Sequence, residues 1–147
     1  MADGDKWDKP VLLYPSPAKY TNPDVPRLIS AAFDEAQNCL KTKAYTATAI
    51  MARKTLEGIC ADMKVQDRSL VKSLKNLKDK DLIDERLLEW ANELRLSGNE
   101  AAHDVQVTIS EADAKDILDL TAAILDYLYS FKNKFESFKA RRNKKKK

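Results

Sequence analysis

The chain has 147 residues and a mass of 16.7 kDa, one domain's worth of polypeptide. Charged residues make up 33% of it against only 3 Gly and 5 Pro, which excludes the frequent turns of an all-β sandwich or barrel and predicts an all-α domain. The formal charge of +3 conceals two regions: Arg141, Arg142, Lys144, Lys145, Lys146 and Lys147 supply six of the 26 basic residues, the remaining 20 face 23 acidic ones, and attraction to polyanions therefore belongs to the tail.

All five prolines, Pro10, Pro15, Pro17, Pro23 and Pro26, fall before residue 27, where they fix φ and withhold amide donors. Residues 1–25 therefore read as an extended Pro-rich arm, whose Trp7, Leu12, Leu13, Tyr14 and Tyr20 let it lie on the body. The polar start, with Asp3, Asp5 and Asp8, lacks the basic and apolar parts of a secretory signal. A single helical domain is expected over residues 26–139. Its first helix starts near Pro26 with Asp24 as N-cap and runs to about Lys41, burying Ile29, Ala32, Phe33, Ala36, Cys39 and Leu40. A second, from about Tyr45 to Lys64, repeats apolar residues close to every seven (Tyr45, Ala52, Ile59), with Ala49, Leu56, Cys60 and Met63 on the same stripe. These two form an antiparallel hairpin. Ser69 caps a short helix carrying Leu70, Leu74 and Leu77, which Asp79 to Asp81 interrupts. The fourth helix spans about Asp84 to Leu96 and stops at Ser97-Gly98-Asn99, where Gly98 or Asn99 takes the left-handed position. The last opens at Ser110, with Asp113 completing a capping-box variant, and reaches about Lys139. Thirty residues make ~45 Å of helix, longer than the others can cover, so its end is expected to pack on something else. Residues 140–147 read as a basic, disordered tail.

Several chemistries have no support. No apolar run approaches the ~18–20 residues of a membrane span, and the reading is a soluble cytoplasmic protein with no membrane partner. Cys39 and Cys60 sit 21 residues apart on apolar faces and read as buried reduced thiols, and with a single His they cannot assemble an ordinary zinc site. Phosphate-loop, nucleophile-elbow and zinc-protease motifs do not occur. No metal or cofactor is expected.

One stretch carries potential chemistry: Arg95, then Gly98-Asn99-Glu100-Ala101-Ala102-His103-Asp104, holding the only histidine of the chain. If Asn99 caps a short helical turn, His103 lies four residues on and faces the same side, while Arg95 projects from the preceding helix end. An arginine, an amide and an imidazole then converge, unless Gly98-Asn99 merely ends a helix and His103 bonds a nearby carbonyl. Arg53 and Glu57, four apart on the second helix, read either as an ion pair tying helices together or as groups, with Asp104, that position Arg95 or His103. Phe131, Phe135 and Phe138 share a face near the end of the long helix, with Tyr127 and Tyr129 before them. Core or dimer packing is the leading reading, and nucleic-acid docking beside Lys132, Lys134 and Lys139 the alternative.

The segment from Asn22 to Tyr129 resembles a bacterial family of helical domains, domain of unknown function 4145, related to the HEPN (higher eukaryote and prokaryote nucleotide-binding) superfamily. The resemblance rests on Tyr14-Pro15 and Asp24-Val25-Pro26, on Glu35-Ala36 and Ala44-Tyr45-Thr46-Ala47, on Arg53-Lys54-Thr55-Leu56-Glu57, and on Arg95 with Gly98 to His103. It implies a HEPN-like bundle of four to five helices that forms a homodimer. Many HEPN proteins are metal-independent ribonucleases whose motif is an Arg, a following polar residue, three residues and a His. Asn99 and His103 keep the second half, whereas Arg95 lies four residues before the Asn instead of directly before it.

Cleaving RNA without a metal requires a base for the 2′-OH, an acid for the leaving oxygen and a cation for the growing phosphorane charge. Histidine titrates near neutral pH and arginine offers a planar fork for phosphate. One chain has one imidazole, so a shared cleft between two copies is demanded. The resemblance thus points to a metal-independent endoribonuclease or RNA-binding protein using Arg95, Asn99 and His103, in a phage-defence or toxin setting, with nucleotide binding in the same cleft as a further possibility. The alternative is a noncatalytic interaction module associated with restriction-modification or defence systems, recruiting a protein partner through its C-terminal helix.

Overall fold

The structure, a computed structural model, describes residues 22–145, whose regular elements are all helices, with no strand among them. Helix α1 spans Arg27–Lys41, α2 Tyr45–Asp62, α3 Leu70–Asp79 and α4 Glu85–His103. The last helix is continuous but composite: α5, Glu111–Leu125, passes through a π-helical turn, Asp126–Phe131, into α6, Lys132–Lys145. The all-α expectation holds. The arm expected over 1–25 lies, up to residue 21, outside the described residues. Its last part forms a turn in which the Val25 amide donates to the Asn22 carbonyl (3.0 Å) and the Asp24 amide to Asn22 Oδ1 (3.0 Å). Asp24 is not the cap it was expected to be, because Pro26 takes the N-cap position, without a side-chain bond.

Helix α2 is the centre of the bundle and packs against α1, α3, α4 and α5. Its small residues Ala49 and Ala52 are completely buried, and Leu56, Ile59 and Cys60 fill the space between Phe33 of α1, Leu74 and Leu77 of α3, Leu94 of α4 and Leu125 of α5. Three threonines lie in this core without stranding a hydroxyl. Thr48, Thr55 and Thr121 donate one turn back to the carbonyls of Ala44 (3.0 Å), Met51 (2.8 Å) and Ile117 (2.6 Å).

Starts are set by side-chain caps where the sequence places them. Ser69, Asp84 and Ser110 accept from the amides of Lys72, Leu87 and Asp113 at 3.3, 2.8 and 3.0 Å. Stops are less conventional. α1, α2 and α3 are each followed by a residue with positive φ, Lys43, Lys64 and Asp81, and then by an amide that reaches back five residues: Ala44 to the Cys39 carbonyl, Val65 to Cys60, Leu82 to Leu77. These are Schellman closures built without glycine.

Gly98, by contrast, ends nothing. α4 runs unbroken past the expected stop at Leu96 to His103, and Asp104 is its C-cap. Gly98 is buried where α4 crosses α2, and a Cβ there would lie 2.6 Å from Arg53 Cβ and 3.0 Å from the Ala49 carbonyl oxygen. Its use is close approach, not backbone freedom.

The last helix also departs from expectation. It continues past Lys139 to Lys145, so Arg141, Arg142, Lys144 and Lys145 are helical, whereas Lys146 and Lys147 lie outside the described residues. α5 buries Ala114, Ile117, Leu118, Thr121, Ile124 and Leu125, and the π-helical turn buries Leu128 and Tyr129. α6 buries nothing. Phe131, Phe135 and Phe138, read as core or dimer packing, are 57, 62 and 50% exposed, which removes the core reading. At ~1.5 Å per residue, the 35 residues from Glu111 to Lys145 extend ~52 Å, against ~28 Å for α4, so no other helix among the described residues is long enough to cover them.

Two expectations on stability follow. Gly98→Ala is expected to lower stability by roughly 1–2 kcal/mol despite alanine's helix propensity, because the atoms it meets belong to a helix backbone and a Cβ. Gly58→Ala, which meets only Ile29 Cγ1 at 3.2 Å, should be near neutral; urea denaturation of both variants distinguishes the cases. Lys64→Gly should gain about 0.5–1 kcal/mol by relieving the left-handed backbone, read as a higher urea midpoint at unchanged slope.

Candidate functional site

The second half of α4 carries the residues singled out from the sequence. Because the helix is unbroken, Arg95, Asn99 and His103 stand at i, i+4 and i+8, one strip of side chains advancing by about 40° per step. The expected picture of Arg95 on one helix and Asn99 capping another is replaced by a single rigid element. Arg95 and Asn99 are half-buried and His103 is exposed at the helix end. Arg95 Nε donates to Asn92 Oδ1 (3.3 Å), one turn earlier, which holds the root of the guanidinium and leaves its terminal nitrogens available. Asp104 is exposed, and its Oδ1 accepts the Gln106 amide (2.9 Å), closing the turn after α4.

Arg53 and Glu57 lie across the helix crossing. They form an ion pair along α2, and the Arg53 stem is what Gly98 packs against. The pair thus sits beside the strip on α4. No hydrogen bond among the described residues joins Glu57 or Asp104 to Arg95, Asn99 or His103. Arg53 Nε is itself buried without a hydrogen-bond partner among the described residues.

A cavity of about 400 Å³ opens next to this pair, lined by Arg53, Glu57, Cys60, Arg68, Ser69 and Ser73 among others. Arg68 was not singled out from the sequence. It falls in the polar break after α2, and only the path of that break, pinned by the Asp67 amide to Ser73 Oγ (2.8 Å) and by Asn76 Nδ2 to the Val65 carbonyl (3.1 Å), brings it near Arg53. The Asp67 carboxyl is held below its ordinary range, chiefly by accepting the Arg68 amide and then Asn76 Nδ2.

Neither cysteine is poised for chemistry. Cys60 is 1% exposed, and burial, with a smaller contribution from the Glu57 charge, pushes its thiol up to about 12. Cys39 is half-buried and also raised, by burial and then by Glu35. Tyr129 is raised as well, by burial and by donating to Asp62 Oδ2 (2.7 Å). No group of three His, Cys, Asp or Glu side chains able to hold a metal ion gathers among the described residues. No helix there is long and apolar enough to cross a membrane.

Comparison with known proteins now adds one finding. The model of a family described as Domain of unknown function (DUF4145) matches residues 34–144. The chain belongs to the DUF4145 family. The match takes in α2, α3, α4 and almost all of the composite C-terminal helix, including Arg53, Glu57, Arg95, Asn99 and His103. No curated protein and no solved structure matches the chain.

The buried thiol sets a pH dependence. Unfolding returns Cys60 from about 12 toward its ordinary value of 9.0, so the unfolded chain releases its proton first. Stability from this group is complete below pH 9 and is lost between there and about pH 12. The urea midpoint should therefore fall between neutral pH and the most alkaline pH at which the chain still folds, and fall less in Cys60→Ala.

Proposed function

We propose that this DUF4145 chain is a HEPN-like domain that binds RNA and cleaves it without a metal ion, as a homodimer, in a defence or toxin setting. The observation that carries the reading is the strip on α4: a guanidinium, an amide and an imidazole in one line on one rigid helix, ending in an exposed His103. A phosphodiester lying along that line meets the three groups it needs. Arg95 pairs with the non-bridging oxygens, and Asn99 orients the phosphate or the ring. His103 of one copy takes the ribose 2′-OH proton as the 2′ oxygen bonds to phosphorus. The partner's His103, protonated, gives its proton to the 5′ oxygen as the phosphorus bond to that oxygen breaks. The products are a 2′,3′-cyclic phosphate and a 5′-hydroxyl. Two imidazoles are required, and each chain supplies one, so the reaction belongs to the dimer.

A second reading is supported by a different observation. The exposed Phe131, Phe135 and Phe138 suit a noncatalytic module that recruits a partner through α6, with Arg95, Asn99 and His103 structural.

The deciding experiment incubates the protein with mixed RNA in EDTA beside His103→Ala and Arg95→Ala, with fragment ends and thermal melting followed together. Cleavage leaving 2′,3′-cyclic ends, reduced roughly 100-fold or more in His103→Ala at unchanged melting temperature, is the expected result. Intact RNA with the parent protein sinks the ribonuclease, and a monomer by sedimentation removes the composite site.

A further inference from the structure

The packing of the bundle leaves two apolar surfaces over, and they are opposite in charge. One is the overhanging end of the last helix. It presents Phe131, Phe135 and Phe138, each at least half exposed, and α6 carries seven lysines and arginines against the single acidic residue Glu136. The other is a groove of about 730 Å³ between α1 and α2. Its walls include the small residues Ala31, Ala32, Gly58 and Ala61, which leave room for bulky side chains, beside the largely exposed Leu28. Its charged residues are Glu35, Glu57 and Asp62 against Lys54, and Glu35 has no ion pair among the described residues.

We infer that α6 of one copy lies in the α1–α2 groove of a second copy, and that the exchange is reciprocal. Charge, length and direction agree. A basic helix and an acidic groove carry complementary potentials, and the aromatic rings lose water against the apolar walls. From Phe131 to Phe138 the helix rises ~10.5 Å, while the groove follows α1 from Pro26 to Glu35, ~13.5 Å, so all three rings fit within its length. Direction follows from two bonds across the bundle. The Tyr45 hydroxyl donates to Glu111 Oε1 (3.1 Å) where α2 and α5 start, and the Tyr129 hydroxyl donates to Asp62 Oδ2 (2.7 Å) where they end. The two helices therefore run parallel, and α6 leaves the body beyond the end of α2, where Pro26, Ala61 and Asp62 form one end of the groove. A second copy turned about a two-fold axis beside that end receives α6 in its groove while its own α6 reaches back, so the contact closes with both grooves and both ridges covered. The strip on α4 crosses α2 at Ala49 and Arg53, ~20 Å along that helix from Asp62. The pairing therefore goes beyond the RNA reading and does not rest on it: it uses none of Arg95, Asn99 and His103, and a His103 cleft shared between copies is a separate contact. The partner that α6 takes is a second copy of this chain, because one chain carries both complementary surfaces.

Photocrosslinking tests the pairing in the full chain, with p-benzoylphenylalanine in place of Phe135. The expected product has the mass of two chains, with adducts mapping to residues 26–35 and 51–62. Ala31 and Ala61 are exposed and support no core packing, so Ala31→Arg with Ala61→Arg leaves the fold intact while filling the groove and cancelling its negative charge. In that background the two-chain adduct should fall roughly tenfold at unchanged melting temperature. RNA cleavage followed in the same samples keeps the two readings apart: cleavage without the groove adduct sinks the pairing alone, and the groove adduct without cleavage sinks the ribonuclease alone. Adducts within one chain, two-chain adducts that map to α6 or to α4, a yield unchanged by the two arginines, or no adduct at all would each overturn the pairing.

Discussion

The crossing of α4 over α2 depends on one missing Cβ. Gly98 lets the α4 backbone settle against the Ala49 carbonyl and the stem of Arg53, closer than any other residue permits. That contact draws α4 into the completely buried layer of Ala49 and Ala52, and it keeps α4 helical through the stretch that follows. The rest of the candidate site inherits its geometry from this contact. Arg95, Asn99 and His103 share a strip only because the helix does not stop between them. The Arg53–Glu57 pair is their neighbour only because the helices touch there.

The same economy explains how helices end. A left-handed residue after a helix is ordinarily glycine, and three closures of this fold use Lys43, Lys64 and Asp81 instead. Each costs backbone energy and is held by the two amide bonds of the closure. Glycine is spent where a side chain cannot be placed, and left-handed backbone is tolerated where a side chain can project into solvent. Composition alone does not reveal that division.

The long C-terminal helix divides the molecule into a part that stabilises and a part that is presented. Up to Tyr129 its apolar residues complete the core, and the Tyr129 hydroxyl ties it to Asp62 at the end of α2. After the π-helical turn the apolar stripe persists in sequence while the body beneath it has ended. An aromatic ridge flanked by lysine and arginine is the result, rooted at the point where Asn22 fastens the incoming chain. Stability and recognition are thereby carried by successive halves of one element.

Much of this was legible in the amino-acid sequence, for reasons that are local. The all-α class, the starts at Ser69, Asp84 and Ser110, the stop after α3 and the apolar stripes of α1 and α2 follow from capping chemistry and from periodicity, which act within a few residues. That an overlong final helix would outrun its body was an arithmetic consequence of its length. The types of residue at Arg95, Asn99 and His103 were equally plain. Their arrangement was not, because Gly98 reads as a helix stop by propensity and becomes a packing residue only when α2 lies against it. Arg68 beside Arg53, and the exposure of Phe131, Phe135 and Phe138, were hidden for the same reason: a residue's neighbours across the bundle are set by how helices cross, and a stripe of aromatics does not state whether anything lies opposite. The sequence by itself determined the elements and their apolar faces, since those arise from contacts between near neighbours. The tertiary structure decided which breaks are real and which faces meet, since close approach and burial exist only between helices already packed.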